Sequence, residues 1–124
     1  IRLKVTEVAL SFDGATSSNA PVVCEFMQST FGVNAPGTNS TTVTPSKRDT
    51  GYGETVQATA AKLWSAEPTT LTLQRPLDVG QFNGTAVYLH PFASPFWVIG
   101  GQGCVLRDNS PNNVNTTGWL TIEE

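Results

Sequence analysis

The side chains able to perform acid–base or nucleophilic chemistry are few in this chain of 124 residues. A serine–histidine–acid triad would need His90, the one histidine, as its base, yet no serine lies in a nucleophile-elbow motif. Cys24 and Cys104, the two cysteines, stand in alternating apolar segments without basic neighbours to activate a thiol. We therefore expect no catalytic residue, and a small hydrolase centred on His90 is the least favoured of three functional hypotheses.

Metal and cofactor chemistry has equally little support. Two cysteines so far apart in sequence form no zinc motif, and we expect buried thiols, with a single bridge as the alternative. The glycines from Gly100 to Gly103 lack the Lys-Ser/Thr pair of a phosphate loop and are typical of a hairpin turn. Asp108 is the one carboxylate of the 108–113 loop, so calcium would bind weakly there, and Asx turns explain the same residues. The expectation is no metal and no cofactor.

The charge balance argues against nucleic acid and membrane partners. The formal net charge is −3 and the pI is about 5.0, so the chain has no positive field to attract phosphates. No apolar run approaches the roughly 20 residues that cross a bilayer. Charged residues are only 14% of the chain, against about a quarter in an ordinary soluble domain. We expect neither nucleic acid nor a membrane as a partner.

Apolar and polar residues alternate along most of the chain, with turn residues at about every tenth position. The apolar residues of the first strand change parity between Val5 and Val8, which predicts a bulge near Thr6 or Glu7. This pattern predicts an all-β fold in one domain over residues 1–124, an antiparallel β-sandwich and jelly roll of about eight strands. Further strands are predicted near Val22 to Ser29 and in the segments TTLTLQR, AVYLHPF, PFWVIG, GCVLRD and GWLTIEE.

The middle of the chain has a weaker pattern. Residues 31–53 are mostly Gly, Pro, Asn, Ser, Thr and charged residues, so we predict a long polar loop in which only TTVTP resembles a strand. A connection of this length is usually functional or mobile, and we predict an arm that orders on contact with a partner. In ETVQATAAKLW, residues 54–64, the apolar spacing fits both strand and helix. Strand is favoured, with helix as the alternative.

Large aromatic side chains are the remaining candidates for function. The stretch PFASPFWVIGGQGCVLRDN, residues 91–109, holds three of them. Phe96 and Trp97 are neighbours, so in a strand one faces the core and the other faces outward. An outward aromatic ring could contact a sugar, another protein subunit or a second sheet of the same domain. The interface candidates are Trp64, His90, Phe92, Phe96, Trp97 and Trp119.

Several short segments, taken in order along the chain, carry a family resemblance. They are Phe12-Asp13-Gly14, Pro21-Val22-Val23, the Gly37-Thr38 start of a threonine-rich stretch, the corner from Trp64 to Thr69, the stretch from Pro95 to Gly103, and Gly118-Trp119-Leu120-Thr121-Ile122-Glu123-Glu124. In this order they resemble a loosely defined group of small virion proteins from tailed bacteriophages. That group includes capsid decoration, or cement, proteins.

This resemblance implies a jelly-roll or related β-sandwich that associates into small rings, often trimers. Proteins of this group sit on the icosahedral shell, where they clamp neighbouring subunits of the major capsid protein. The implied partners are therefore the major capsid protein and further copies of the chain. The implied location is the capsid surface of the virion, after assembly in the host cytoplasm, and no catalytic residue is implied.

A second hypothesis, from a different class, is a carbohydrate-binding β-sandwich that acts as a lectin or in phage host attachment. Exposed Trp97 or Trp119 would form a flat platform for a sugar ring. His90, Asn83 and Asp108 would be its polar partners. The two hypotheses differ in whether an isolated monomer binds sugar.

Overall fold

The chain folds into antiparallel β-sheets, as the alternating pattern predicts. A computed structural model describes residues 2–13, 22–51, 53–77, 84–110 and 115–124, so Gly14, Pro21 and Asn83 lie outside the described residues. Nine strands lie in these ranges, against about eight predicted. They are β1 (Arg2–Asp13), β2 (Val23–Ser29), β3 (Thr41–Val43), β4 (Ala60–Lys62), β5 (Leu71–Pro76), β6 (Thr85–Leu89), β7 (Phe96–Ile99), β8 (Gly103–Asn109) and β9 (Asn115–Glu123).

The first sheet is built around β1, whose length lets it pair with three strands. One edge of β1 pairs with β7 and then with β6, and the other edge pairs with β9 along most of its length. The register with β9 shifts between Val5 and Glu7. This is the predicted bulge, and it allows both Val5 and Val8 to join the same core cluster.

The second sheet has the strand order β5-β2-β8, with both pairs antiparallel. The core lies between the two sheets. One cluster of buried residues joins Leu10 and Phe12 of β1 to Val22 and Cys24. A second cluster contains Val5, Val8, Phe26 and Val98. Because each cluster contains residues from both sheets, the sheets pack face to face as a β-sandwich. The jelly-roll connectivity stays a prediction.

Residues 54–64, which fit strand or helix in the sequence, contain one short strand. Only Ala60–Lys62 is paired, and its partner is Thr41–Val43, so β3 and β4 form a separate two-stranded sheet. The strand ends at Lys62, and the next residue, Leu63, has a φ of 52°, a left-handed conformation that leucine seldom adopts. The helix alternative is therefore wrong here. Among the described residues, no helix is long and apolar enough to cross a membrane.

The predicted long loop at residues 31–53 is partly structured. Its TTVTP segment contains β3. The part before β3 is hydrogen-bonded to residues 63–70. The Ser65 amide donates to the Asn39 carbonyl at 2.8 Å, and the Thr69 amide donates to the Phe31 carbonyl at 3.3 Å. Residues 31–40 are thus held against the sandwich and do not form a free arm.

The glycine-rich turn from Gly100 to Gly103 joins the two sheets. It follows β7, which pairs with β1, and leads into β8, which pairs with β2. The Gln102 amide donates to the Ile99 carbonyl at 3.0 Å, and Gly101 has a φ of 82°, which a residue with a side chain rarely adopts. The prediction of a turn is confirmed, but the predicted β7–β8 hairpin is wrong because the two strands belong to different sheets.

Candidate functional site

The outward face of the first sheet carries large apolar side chains. Residues directly opposite each other on paired strands share a face of the sheet. The register with β1 therefore places alternate residues of β6, β7 and β9 on the side away from the core residues Val5 and Val8. Five of these side chains form what we call the apolar face: Val87 (53% exposed), Leu89 (64%), Trp97 (51%), Ile99 (48%) and Trp119 (42%).

One row of the apolar face crosses three strands. Ala9 of β1 lies opposite Val87 on one side and opposite Trp119 on the other. Ala9 is 0% exposed although it points away from the core. Its larger neighbours in the row therefore cover its methyl group. This makes the apolar face continuous across β6, β1 and β9.

Two pairs of polar groups lie on the apolar face. The indole nitrogen Nε1 of Trp119 donates a hydrogen bond to Oε1 of Glu7 at 2.5 Å. The Lys4 ammonium lies 2.9 Å from the Glu123 carboxylate. Because these four groups already have partners, a protein that covers them would leave none of the four without a hydrogen bond.

Phe92 stands at the border of the apolar face, in the turn that follows β6. It is 92% exposed, the highest value among the large apolar side chains that the structure describes. The Lys4 ammonium lies 5.4 Å from the centre of its ring, a cation–π distance. Because Lys4 is the register partner of Trp97, Phe92 extends the apolar surface beyond the strands.

The area of this surface is compatible with a protein contact. If a large side chain presents about 150–250 Å², the half-exposed residues of the apolar face offer roughly 500 Å². The largest apolar patch on a monomeric protein is typically about 300–600 Å² and is often functional. One partner in a standard protein interface contributes about 800 Å². With Phe92 and its polar rim, the apolar face approaches that size.

The outward face of the second sheet has a different surface, which we call the covered face. Met27 and Ser29 point outward from β2, on the opposite side to Phe26, yet they are only 5% and 1% exposed. Phe31 and Glu67 contact this face: the Phe31 amide donates to Oγ of Ser29 at 2.8 Å, and the Glu67 carboxylate pairs with Arg107. The ring of Phe31 lies so close to Gly103 that a Cβ built there would be 2.2 Å from a ring carbon. Phe31 therefore packs directly on the backbone of β8.

Hydrogen bonds fix the segments that form this cover. Asn34, which is 8% exposed, donates through Nδ2 to the Glu67 carbonyl at 2.7 Å. Its Oδ1 accepts a hydrogen bond from Nδ2 of Asn39, also at 2.7 Å. Arg107 adds ion pairs to Glu25 at 2.8 Å and to Glu67 at 3.4 Å. The hydrogen bond that Arg107 donates to the Glu25 carboxylate is the main cause that raises the pKa of Arg107.

The structure separates the two adjacent aromatic candidates, as their neighbouring positions predict. Phe96 faces inward and packs edge-on against Phe26, with ring centroids 5.0 Å apart. Trp97 faces outward and belongs to the apolar face. Trp64 follows β4, is half-buried, and lies in the segment that forms the cover of the second sheet. Of the six interface candidates, the apolar face and its border contain Phe92, Trp97 and Trp119.

His90 lies at the end of the core, just after β6, and not in the middle of a strand. Its ring is 4.9 Å from that of Tyr88 and 5.7 Å from that of Phe26, measured between centroids. Its Nε2 is buried without a hydrogen-bond partner. Burial, with a smaller effect from Arg75, lowers the pKa of His90 below its ordinary value of 6.5. This environment favours the neutral imidazole as a packing group.

The cysteines have the surroundings of core residues. The Sγ of Cys24 is buried and donates to the Val22 carbonyl at 3.8 Å. Burial raises the pKa of the Cys104 thiol to about 11, so it stays protonated at neutral pH. Both are thiols, as the sequence predicts. Within the described ranges, no three His, Cys, Asp or Glu side chains are grouped so that they could hold a metal ion.

The polar partners of the carbohydrate hypothesis are not gathered around one tryptophan. His90 packs with core rings, and Asp108 lies on β8 of the other sheet, where it accepts a hydrogen bond from Thr116 at 2.7 Å. Asn83 lies outside the described residues. Sequence reasoning missed Val87, Leu89 and Ile99 as surface residues. The signal was present, since Ala86 to Leu89 is apolar at both parities and so predicts two apolar faces.

Comparison with known proteins identifies no relative: no family model, no curated protein and no solved structure matches the chain.

Proposed function

We propose that this chain is a non-enzymatic structural protein of a virion, a capsid decoration protein that binds the major capsid shell as a homo-oligomer. The observation that carries the proposal is the apolar face: five large apolar side chains, each 42–64% exposed, on one face of a sheet. A surface of this kind is typical of a protein interaction site. The apolar face supports a protein-binding function in general. The sequence resemblance makes the proposal more specific and favours a decoration protein.

The rigidity of the site supports adhesion. The exposed rings and branched side chains project from paired strands whose other side is the hydrophobic core. Side chains on such a scaffold lose little conformational freedom when a partner covers them, so more of the buried area contributes to affinity. Trp119 is further held by its hydrogen bond to Glu7.

A decoration protein needs only a modest contact at each copy. Copies joined to each other bind a lattice of identical subunits, so each contact raises the effective concentration of the next. A few kcal/mol per copy then gives lasting attachment, because avidity can exceed a single affinity by about 10²–10⁴. A patch of the size of the apolar face fits this requirement.

The test is co-sedimentation of the purified chain with phage shells assembled without it. Leu89→Glu places a charge in the middle of the apolar face, where it would have to be desolvated, and we expect shell binding to weaken by about tenfold or more. Val33→Glu is the matched control, because Val33 is 78% exposed and lies on the cover of the other sheet. The control is expected to bind like the unaltered chain.

Equal binding by both variants, or no binding by the unaltered chain, would contradict the proposal. A glycan array and a sugar-dependent thermal shift distinguish the carbohydrate hypothesis. Sugar binding by an isolated monomer, abolished by replacing Trp97 or Trp119, would favour a lectin instead.

A further inference from the structure

The outer edge of β9 is an unusual edge strand. Its nine residues make it the longest edge strand in the described residues, and β1 is its one hydrogen-bonded neighbour there. All residues from Asn115 to Leu120 are exposed. Its backbone donors and acceptors on the outer side are therefore available to another strand.

Edge strands are normally protected against pairing by proline, lysine, bulges or short length. The other edge strands show these features: β5 ends in Arg75-Pro76 and has a register shift, β8 carries Arg107 and Asp108, and β6 and β7 have only five and four residues. The sequence of β9, NTTGWLTIE, contains no proline and no basic residue. The bulge in the first sheet lies on β1, so β9 itself is regular.

We infer that β9 pairs with β9 of a second copy in an antiparallel arrangement, so that the first sheets of two copies form one continuous sheet across a two-fold axis near Gly118. With the axis there, Thr117 lies opposite Trp119 of the second copy, and Thr116 lies opposite its Leu120. Cross-strand pairs of threonine with aromatic or apolar side chains stabilise antiparallel sheets.

The charges of β9 favour a second copy as the occupant of this edge. Glu123 is its one charged residue, and its carboxylate is already paired with Lys4 at 2.9 Å. In the two-fold arrangement the Glu123 residues of the two copies lie about 30 Å apart, at about 3.3 Å per residue. The strand therefore pairs with itself without bringing like charges together.

The contact next to β9 is compatible with this pairing. The Glu124 carboxylate accepts hydrogen bonds from the backbone amides of Gln57 at 3.0 Å and Ala58 at 2.6 Å. This contact lies beyond the paired stretch, which runs from Asn115 to Thr121. Pairing would place the Trp119 side chains of both copies side by side on one surface, and the joined apolar faces would present roughly 1,000 Å².

The test is the mass of the full chain in solution, by sedimentation velocity over a wide concentration range. We expect a reversible dimer. Thr117→Lys puts two like charges next to the two-fold axis and is expected to raise the dimer dissociation constant by about tenfold or more. Ser11→Lys is the matched control, because Ser11 is the register partner of Thr117 one strand further in. The control is expected to remain dimeric.

If Thr117→Lys destabilises the fold, hydrogen exchange in the unaltered chain still tests the pairing of β9. In the unaltered chain, amides of residues 115–121 are expected to become more protected as the dimer forms. A monomer at all concentrations, a trimer, or a dimer disrupted by Leu89→Glu but not by Thr117→Lys would overturn the inference. Shell binding is measured separately: a trimer, or a dimer through another surface, would overturn this inference alone, while a monomer at all concentrations would also remove the homo-oligomer from the proposed function.

Discussion

The two outward faces of the sandwich differ in what lies over them. On the covered face, Met27 points outward from β2 and is only 5% exposed, and the segments that contain Phe31 and Glu67 contact the same face. On the apolar face, Leu89 points outward from β6 and is 64% exposed. Both are apolar residues on the outer side of a sheet. The chain supplies its own cover for one of them, while the described residues place none over the other.

Exposed large apolar residues are concentrated on the apolar face and its border, and Val23, Val33, Leu63 and Leu73 are exposed elsewhere. Part of the covered face is closed by specific contacts, among them Phe31 on Gly103 and the buried Asn34 amide, while Val23 and Leu73 on the same face are 43% and 49% exposed. The same chain keeps tryptophan and branched side chains exposed on the other sheet, where their polar neighbours are already paired. A face of this kind is better explained by a partner that covers it than by incomplete folding.

The largest expected effect concerns a residue under the cover. Met27→Ala removes a buried side chain and leaves a cavity, which typically costs about 2–5 kcal/mol of unfolding free energy. Val87→Ala, at a position that is 53% exposed on the apolar face, is expected to cost less than about 1 kcal/mol. Urea denaturation measures both. Similar losses for the two variants would mean that the faces do not differ as described.

A second variant tests the contact between the cover and β8. Gly103→Ala would push a methyl group into the Phe31 ring, and overpacking of this kind typically costs about 1–3 kcal/mol. Gly53→Ala is the control, since a Cβ there meets nothing within 4 Å. Thermal unfolding is the measurement. If Gly103→Ala were as stable as the control, Phe31 would not pack on β8.

A third variant changes the apolar face without touching the core. Leu89→Thr introduces a β-branched residue, which favours strands, at an exposed position of β6, so we expect the unfolding free energy to change by no more than about 0.5 kcal/mol. Binding of a hydrophobic dye to the native chain is expected to fall. Unchanged dye fluorescence together with a large loss of stability would place Leu89 in the core instead.

The smallest expected effect is on how the unfolding free energy depends on pH. Because the pKa of His90 is lower in the folded chain than its ordinary value of 6.5, the unfolded chain takes up a proton first as the pH falls. Stability contributed by neutral His90 is therefore present above pH 6.5 and decreases as the pH drops below it. In His90→Phe, the unfolding free energy is expected to depend less steeply on pH. Urea denaturation at a series of pH values measures this. A slope of the opposite sign would contradict the burial of His90.

The sequence predicted the parts of the fold that depend on local alternation. The parity change between Val5 and Val8 located the bulge, and the adjacency of Phe96 and Trp97 placed one ring on each side of β7. These features depend on neighbouring residues alone, because the side-chain period of a strand is two.

The parts that depend on long-range contacts could not be predicted. The turn at Gly100 to Gly103 fits a hairpin as well as a corner between sheets, and only the pairing of β7 with β1 and β8 with β2 decides between them. The cover of the second sheet likewise depends on contacts between residues 31–40 and 63–70. Its polar composition resembles that of a free loop, so the sequence predicted an arm.

The most direct measurement of the central claim is carbene footprinting of the chain, free in solution and bound to the shell. We expect labelling of Val87, Leu89, Trp97, Ile99 and Trp119 to drop on binding, while labelling of Val33 on the cover stays the same. Undiminished labelling of these five residues, with protection of the covered face instead, would contradict it.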